Sequence, residues 1–168
     1  MLLSIREVPQ LAGRCFSAAG FPDGTAQTNA DAIWWTEAYR GSGITTLHHL
    51  LGDLSKWDRS DLSLSNRASM VTTVDSSEQP SCVSAGPALD LSCSQAQQHG
   101  IGITYTSIAS DDESLPLIGH TAYRAAERGY VPIVLYTDTE NGAGTIVGTP
   151  DEPQPLIAER TFDDPSVG

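Results

Sequence analysis

Much of what usually marks a binding or catalytic site is scarce in this chain. Lysine is almost missing: of nine basic residues, Lys56 is the single lysine and the other eight are arginines. Schiff-base chemistry would rest on Lys56 alone, and its polar surroundings in sequence do nothing to desolvate the amine. There are three cysteines, Cys15, Cys82 and Cys93, without a CxxC spacing. The odd number and wide spacing exclude a disulfide framework and a paired zinc ligand set. Cys15 and Cys93 fall in helical apolar patterns and read as reduced core residues, whereas Cys82 reads as an accessible thiol with no neighbour to lower its pKa. No apolar run reaches the roughly 18 residues of a membrane span, and Met1–Glu7 has neither an apolar signal core nor a small-residue cleavage site. A cytoplasmic location is expected.

What is abundant is negative charge. Twenty-one acidic residues against nine basic ones leave a formal charge of -12. That field repels phosphate backbones, so nucleic acid and anionic membrane are poor partners. A protein partner or a second copy of the chain is expected instead, because the helix that bears Trp34 and Trp35 has apolar residues on more than one side. The 168 residues suit one domain with one core, and the 39% apolar residues gather in periodic segments, unlike a disordered chain.

The periodicity divides residues 1–160 of that domain into two segments, with 161–168 as a flexible tail. Residues 1–57 predict three helices. Ser4 and Glu7 form a capping box before Val8, Leu11, Ala12, Cys15 and Phe16. Gly20 and Pro22 end that helix, and Asp23 caps a second over about Thr25–Tyr39, whose Trp34 and Trp35 point to two packing surfaces. A third, Thr45–Trp57, carries the stripe Leu47, Leu50, Leu51 and Leu54. Residues 58–67 read as a polar linker.

Residues 68–160 then predict strand, helix, strand, helix, strand: Met70–Val74, Ala88–Gln98, Ile101–Thr106, Leu117–Arg128 and Tyr130–Tyr136. Pro155–Ala158 adds a short last strand. The expected fold is α/β (α+β), a three-helix segment packed on a small mixed, partly parallel sheet. Pro132 removes a ladder donor and places its strand at an edge or a bulge.

The local motifs are weak. Gly142-Ala143-Gly144 has no helix after it and reads as a turn, not a phosphate loop; Gly86-Pro87 offers one glycine and no basic neighbour. His48 and His49 are adjacent on a helix, about 100° apart, and cannot chelate one metal together. His48 flanks the leucine stripe and reads as half-buried packing; His49 reads as solvated. His99 suits the negative end of a helix. His120, with Asp111, Asp112 and Glu113 upstream, is a metal candidate, but loop acids of this kind are usually just solvated, and no metal is expected.

The helix order, with "HGIGITYT" and "AAERGYVPIVLYT", resembles the N-terminal half of the malate/L-lactate (sulfolactate, ureidoglycolate) dehydrogenase family. Ile5–Leu54 also resembles a short bacterial family known only as a domain of unknown function. The resemblance covers most of this chain and about half of a full-length enzyme. It implies a non-Rossmann dehydrogenase fold that uses NAD or NADP.

The family has a histidine proton donor and, four residues on, an arginine for the substrate carboxylate. Against the stretch Arg40-Gly41-Ser42-Gly43-Ile44-Thr45-Thr46-Leu47-His48-His49, the donor position falls on Thr45 and the arginine position on His49. A threonine cannot donate a proton near neutral pH, and a neutral histidine grips a carboxylate less firmly than a bidentate arginine. The family's cofactor loop falls on Asp111–Pro116, with Ser114 at its histidine position and three carboxylates where dinucleotide phosphates would lie.

The reading is therefore a non-catalytic accessory or interaction protein on a truncated scaffold of this kind, without a cofactor. The first alternative is an NAD(P)-dependent oxidoreductase of small 2-hydroxy/2-oxo acids, drawing on Arg40, Thr45, His48, His49, Ser114 or His120. The second is a subunit that completes a partner's active site.

Overall fold

Short helical repeats of apolar residues build the first half. In the computed structural model, which describes residues 4–52, 62–68, 70–77, 79–109, 114–138, 142–152 and 154–160, helix α1 spans Glu7–Ala18 and buries Val8, Ala12 and Phe16, spaced one turn apart. Its entry shows half of the expected box: the Ser4 amide donates to Glu7 Oε2 at 2.7 Å, but the Glu7 amide donates to the Ser4 carbonyl at 2.9 Å rather than to its side chain, and the N-cap position is Arg6. The backbone hydrogen bond from Ser4 holds the Glu7 carboxyl below the usual range.

Helix α2, Asp23–Arg40, follows Pro22 and stops at Gly41, whose left-handed φ of 67° is open to a residue without Cβ. It buries Ala26, Asn29, Ala30, Ala32, Ile33, Trp35 and Thr36, too wide an arc for one neighbour. Accordingly α2 packs on α1, on α3 (Gly43–Leu50) and on a later helix, α5 (Ile118–Glu127). The expectation of two surfaces for the tryptophans holds: Trp34 packs against the buried cluster of the helical segment, while Trp35 lies under Gly119 of α5.

Helix α3, Gly43–Leu50, starts two residues after Gly41 and lies directly on α2. A Cβ on Gly43 would overlap the Ile33 carbonyl oxygen, and Glu37 Oε2 accepts the Ile44 amide at 2.9 Å. The predicted third helix begins two residues late, and its stretch 53–57, like residues 58–61 of the predicted linker, lies outside the described residues.

The rest of that linker is a strand. β1 (Ser63–Ala68) pairs antiparallel with β2 (Val71–Asp75), and β2 pairs parallel with β3 (Ile103–Thr106). Between them α4 spans Ser81–His99, with Pro87 inside it. The predicted start at Ala88 is seven residues late, because Pro87 reads as a boundary. α4 lies on the inner face of this sheet: Ser92 Oγ donates to Thr104 Oγ1 at 2.7 Å, and the Gln95 amide donates to Thr72 Oγ1.

After β3 come a 3-10 turn, Leu115–Leu117, and helix α5, Ile118–Glu127. The strand that follows, β4 (Ile133–Asp138), belongs to a second sheet with β5 (Gly142–Val147) and β6 (Leu156–Arg160), all antiparallel in the order β4-β5-β6. The α+β class and the mixed, partly parallel sheet are as expected; the first strand-helix-strand unit gives the parallel pair, and the second crosses from one sheet to another. Gly142-Ala143-Gly144, expected as a turn, starts β5, and β6 occupies the expected last strand. Pro132 precedes β4, which is an edge strand, and its carbonyl accepts the Gly148 amide at 3.1 Å.

Candidate functional site

Two places gather polar side chains at the junction of α2, α4 and α5. The first is the start of α4. Ser114, fully buried, sits just before the 3-10 turn. Its Oγ accepts the Cys82 amide at 2.9 Å and lies 2.9 Å from Ser81 Oγ. First-turn amides of a helix have no partner within the helix, so Ser114 caps α4 from 32 residues away. That tie, with buried Ser81, Val83 and Ser84, anchors α4 well before Pro87.

The second is a cleft of about 160 Å³ between the three helices. Thr25 and Asn29 of α2 line one side, Cys82 and Asp90 of α4 another, and His120, Arg124 and Arg128 the third. Arg128 Nη1 donates to Asp90 Oδ1 at 2.7 Å, a bond that raises the guanidinium pKa further. Arg124 meets Glu127 more loosely, Nε to Oε2 at 3.7 Å.

His120 is 5% exposed, its ring 6.2 Å from that of Trp35 and 6.0 Å from that of Tyr123. Burial, and secondarily the positive charge of Arg124, pushes its pKa down to about 4. The imidazole is thus neutral at pH 7. Tyr123 donates to Glu127 Oε1 at 2.7 Å, which raises the phenol's pKa.

The sequence-derived candidates do not meet in one place. Arg40 is exposed at the last turn of α2, and Thr45 is exposed on α3. His48 and His49 are both exposed, their rings 6.1 Å apart. The half-buried packing expected of His48 is corrected: α3 buries Gly43, Thr46, Leu47 and Leu50, and at about 100° per residue position 48 lies roughly 140° from that face. Ser114 and His120 are buried beside α4 and α5. Asp111, Asp112 and Glu113 lie outside the described residues, and among the described residues no group of three metal-ligating side chains gathers. Sequence reasoning overlooked Asn29, Arg124 and Arg128; two arginines one helical turn apart in so acidic a chain were the available signal.

No described helix is long and apolar enough to cross a membrane. No protein-family model matches this chain, and no curated protein matches it. Solved structures do. A dehydrogenase from Sinorhizobium meliloti superposes with a TM-score of 0.74 at 18% identity, over 96% of this chain and 55% of its own. Malate dehydrogenase from Pyrococcus horikoshii OT3 gives 0.71 at 16%, over 96% and 50%. Malate dehydrogenase from Entamoeba histolytica gives 0.67 at 15%, over 96% and 49%. This chain spans about half the length of each of these, and its fold is that of the matching half of the malate/lactate dehydrogenase-like structures.

Proposed function

We propose that this chain is a non-catalytic accessory or interaction protein on a malate/lactate dehydrogenase-like scaffold, and that it works as a homodimer. One observation carries the first part. The position matching the family's cofactor-loop histidine is Ser114, whose hydroxyl is fully buried and engaged with Ser81 and the Cys82 amide. The position matching the proton donor is Thr45, a hydroxyl that does not donate near neutral pH. His120 is neutral there as well, and so cannot replace an imidazolium acid.

The second part rests on the outer face of the β4-β5-β6 sheet. Ile133, Leu135 and Leu156 are 65%, 74% and 76% exposed. The row Ile133, Val147, Leu156 and the row Leu135, Thr145, Ala158 carry no charge. On a chain of net charge -12, like-charge repulsion disfavours self-association through the acidic surface and leaves these two uncharged rows for a second copy.

Thermal unfolding with NADH or NADPH, and light scattering on the eluting protein, test the two parts separately. A cofactor at 100 times its dissociation constant would add about 2.7 kcal/mol, an easily read rise in melting temperature. The expected results are no rise, no turnover of 2-oxo acids, and twice the monomer mass. A rise with either cofactor, or any turnover, overturns the non-catalytic reading; a monomer at high concentration overturns the dimer.

A further inference from the structure

We propose that α4 and the β1-β2-β3 sheet form an ionic-strength switch, a unit that opens at low salt and closes as salt rises while α1, α2 and α3 stay packed. The inference goes beyond the proposed function and needs neither a ligand nor a second copy of the chain.

The first argument is where the charge lies. Residues 1–57 hold five carboxylates against four basic side chains, so the helical segment is nearly balanced. Residues 68–123 hold six carboxylates, Asp75, Glu78, Asp90, Asp111, Asp112 and Glu113, and not one lysine or arginine. β2, α4 and β3 all fall in that stretch. Of its described carboxylates, Asp90 is held by Arg128 at 2.7 Å, and Asp75 accepts the Ser77 amide at 2.9 Å. Excess charge of one sign strains a compact state, and salt relieves that strain by screening.

The second argument is thin apolar support. Of its 19 residues α4 buries Ser81, Val83, Ser84 and Cys93, of which Val83 and Cys93 are apolar. It meets the sheet through polar pairs, Ser92 with Thr104 and Gln95 with Thr72, and Gln95 Oε1 is buried with no partner among the described residues. Such bonds add little net stability, and an unmet buried acceptor subtracts from it. The helical segment instead closes on Val8, Phe16, Ile33, Leu47 and Leu50. Local opening begins where buried apolar contact is sparse, which places it at α4.

The third argument is how α4 is fastened. Ser114 caps the Cys82 amide at 2.9 Å, and the Arg128–Asp90 pair has side chains 38% and 65% exposed. An exposed ion pair contributes little. Salt weakens that one attraction, but the six like charges repel in every combination, so screening favours the closed unit.

The test is urea unfolding of the full chain at 0.02 and 0.5 M KCl, read segment by segment with short pulses of deuterium. Across that range the screening length falls roughly fivefold. Two transitions are expected, α4 with β2 and β3 opening first and α1 with α2 later. Salt is expected to shift the first equilibrium about tenfold, raising its midpoint by about 1 M urea, and to leave the second nearly in place. The shift is expected to be the same at protein concentrations tenfold apart, which separates it from dimer formation. MgCl2 at equal ionic strength is expected to act as KCl does. Ser94→Lys, Gln97→Lys and Gln98→Lys together, at three exposed positions of α4, are expected to raise the first midpoint at low salt and to remove at least half of the salt response. A single transition for all segments, or equal salt shifts of both transitions, would overturn the proposal. So would a shift that grows with protein concentration, a response that saturates at low millimolar magnesium, or a triple variant with the full salt response.

Discussion

His120 shows how far burial alone can move a side chain. Its folded pKa is about 4 against an ordinary 6.5, with burial the larger cause and Arg124 the smaller. Between those values the unfolded chain binds a proton that the folded one refuses, so stability rises with pH across that window and is lost as pH falls from 6.5 toward 4. At 1.36 kcal/mol per unit the loss is about 3 kcal/mol. Urea unfolding of wild type and His120→Gln at pH 7 and pH 4.5 is expected to show a smaller pH dependence in the variant; parallel profiles would contradict the assignment. Ser114 makes the opposite contrast with Thr45. Removing its buried hydroxyl strands the Cys82 amide, so Ser114→Ala is expected to cost about 1–3 kcal/mol, against less than about 0.5 for the exposed Thr45→Ala. The sequence could not separate these two, because the partners of Ser114 lie 32 and 33 positions away and no local pattern reports them.

Among the elements, α2 and α3 approach closely at Gly43. A methyl at position 43 would overlap the Ile33 carbonyl oxygen, so Gly43→Ala forces two backbones apart and is expected to cost about 1–3 kcal/mol, read as a lowered melting temperature. The same substitution at Gly24, which has open space, is expected to be nearly silent or slightly stabilising. Helices α1 and α2 were legible because their buried faces repeat at helical spacing. β1 was not: Ser63-Leu64-Ser65-Asn66-Arg67-Ala68 has no run of β-branched or aromatic residues, and it is a strand because β2 pairs with it. The first two turns of α4 were hidden by Gly86-Pro87, since the buried Val83 and the cap from Ser114 outweigh the lost Pro87 amide only once the chain is folded. β5 was hidden by its glycines; Gly144 faces Tyr136 across the strand pair, a partner the local sequence does not announce. Of the candidate site, the exposed Arg40, Thr45 and His49 could be located from helix spacing, whereas the three-helix cleft depends on packing between distant segments.

At the scale of the molecule, charge and the bare sheet face pull against each other. Two subunits of net charge -12 repel, and salt screens that repulsion while leaving apolar contact intact. Self-association is therefore expected to tighten as ionic strength rises from about 0.05 to 0.5 M, over which the screening length falls roughly threefold. Leu135→Lys, on the edge strand β4, is expected to leave a folded monomer whose melting temperature no longer rises with protein concentration, because the side chain touches little in its own subunit. Sedimentation velocity across the salt series reads both outcomes, and a dimer that weakens with salt would place the contact elsewhere.

The wide buried arc of α2 has a consequence for how the molecule comes apart. With α1 and α3 against some of its sides and α5 against another, Asp23–Arg40 is braced by both the amino-terminal helices and the later α/β portion. Losing either portion leaves the other still clasping it. Its central amides are therefore placed to take up deuterium last, after the rims of both sheets have opened, and to report the opening of the whole molecule.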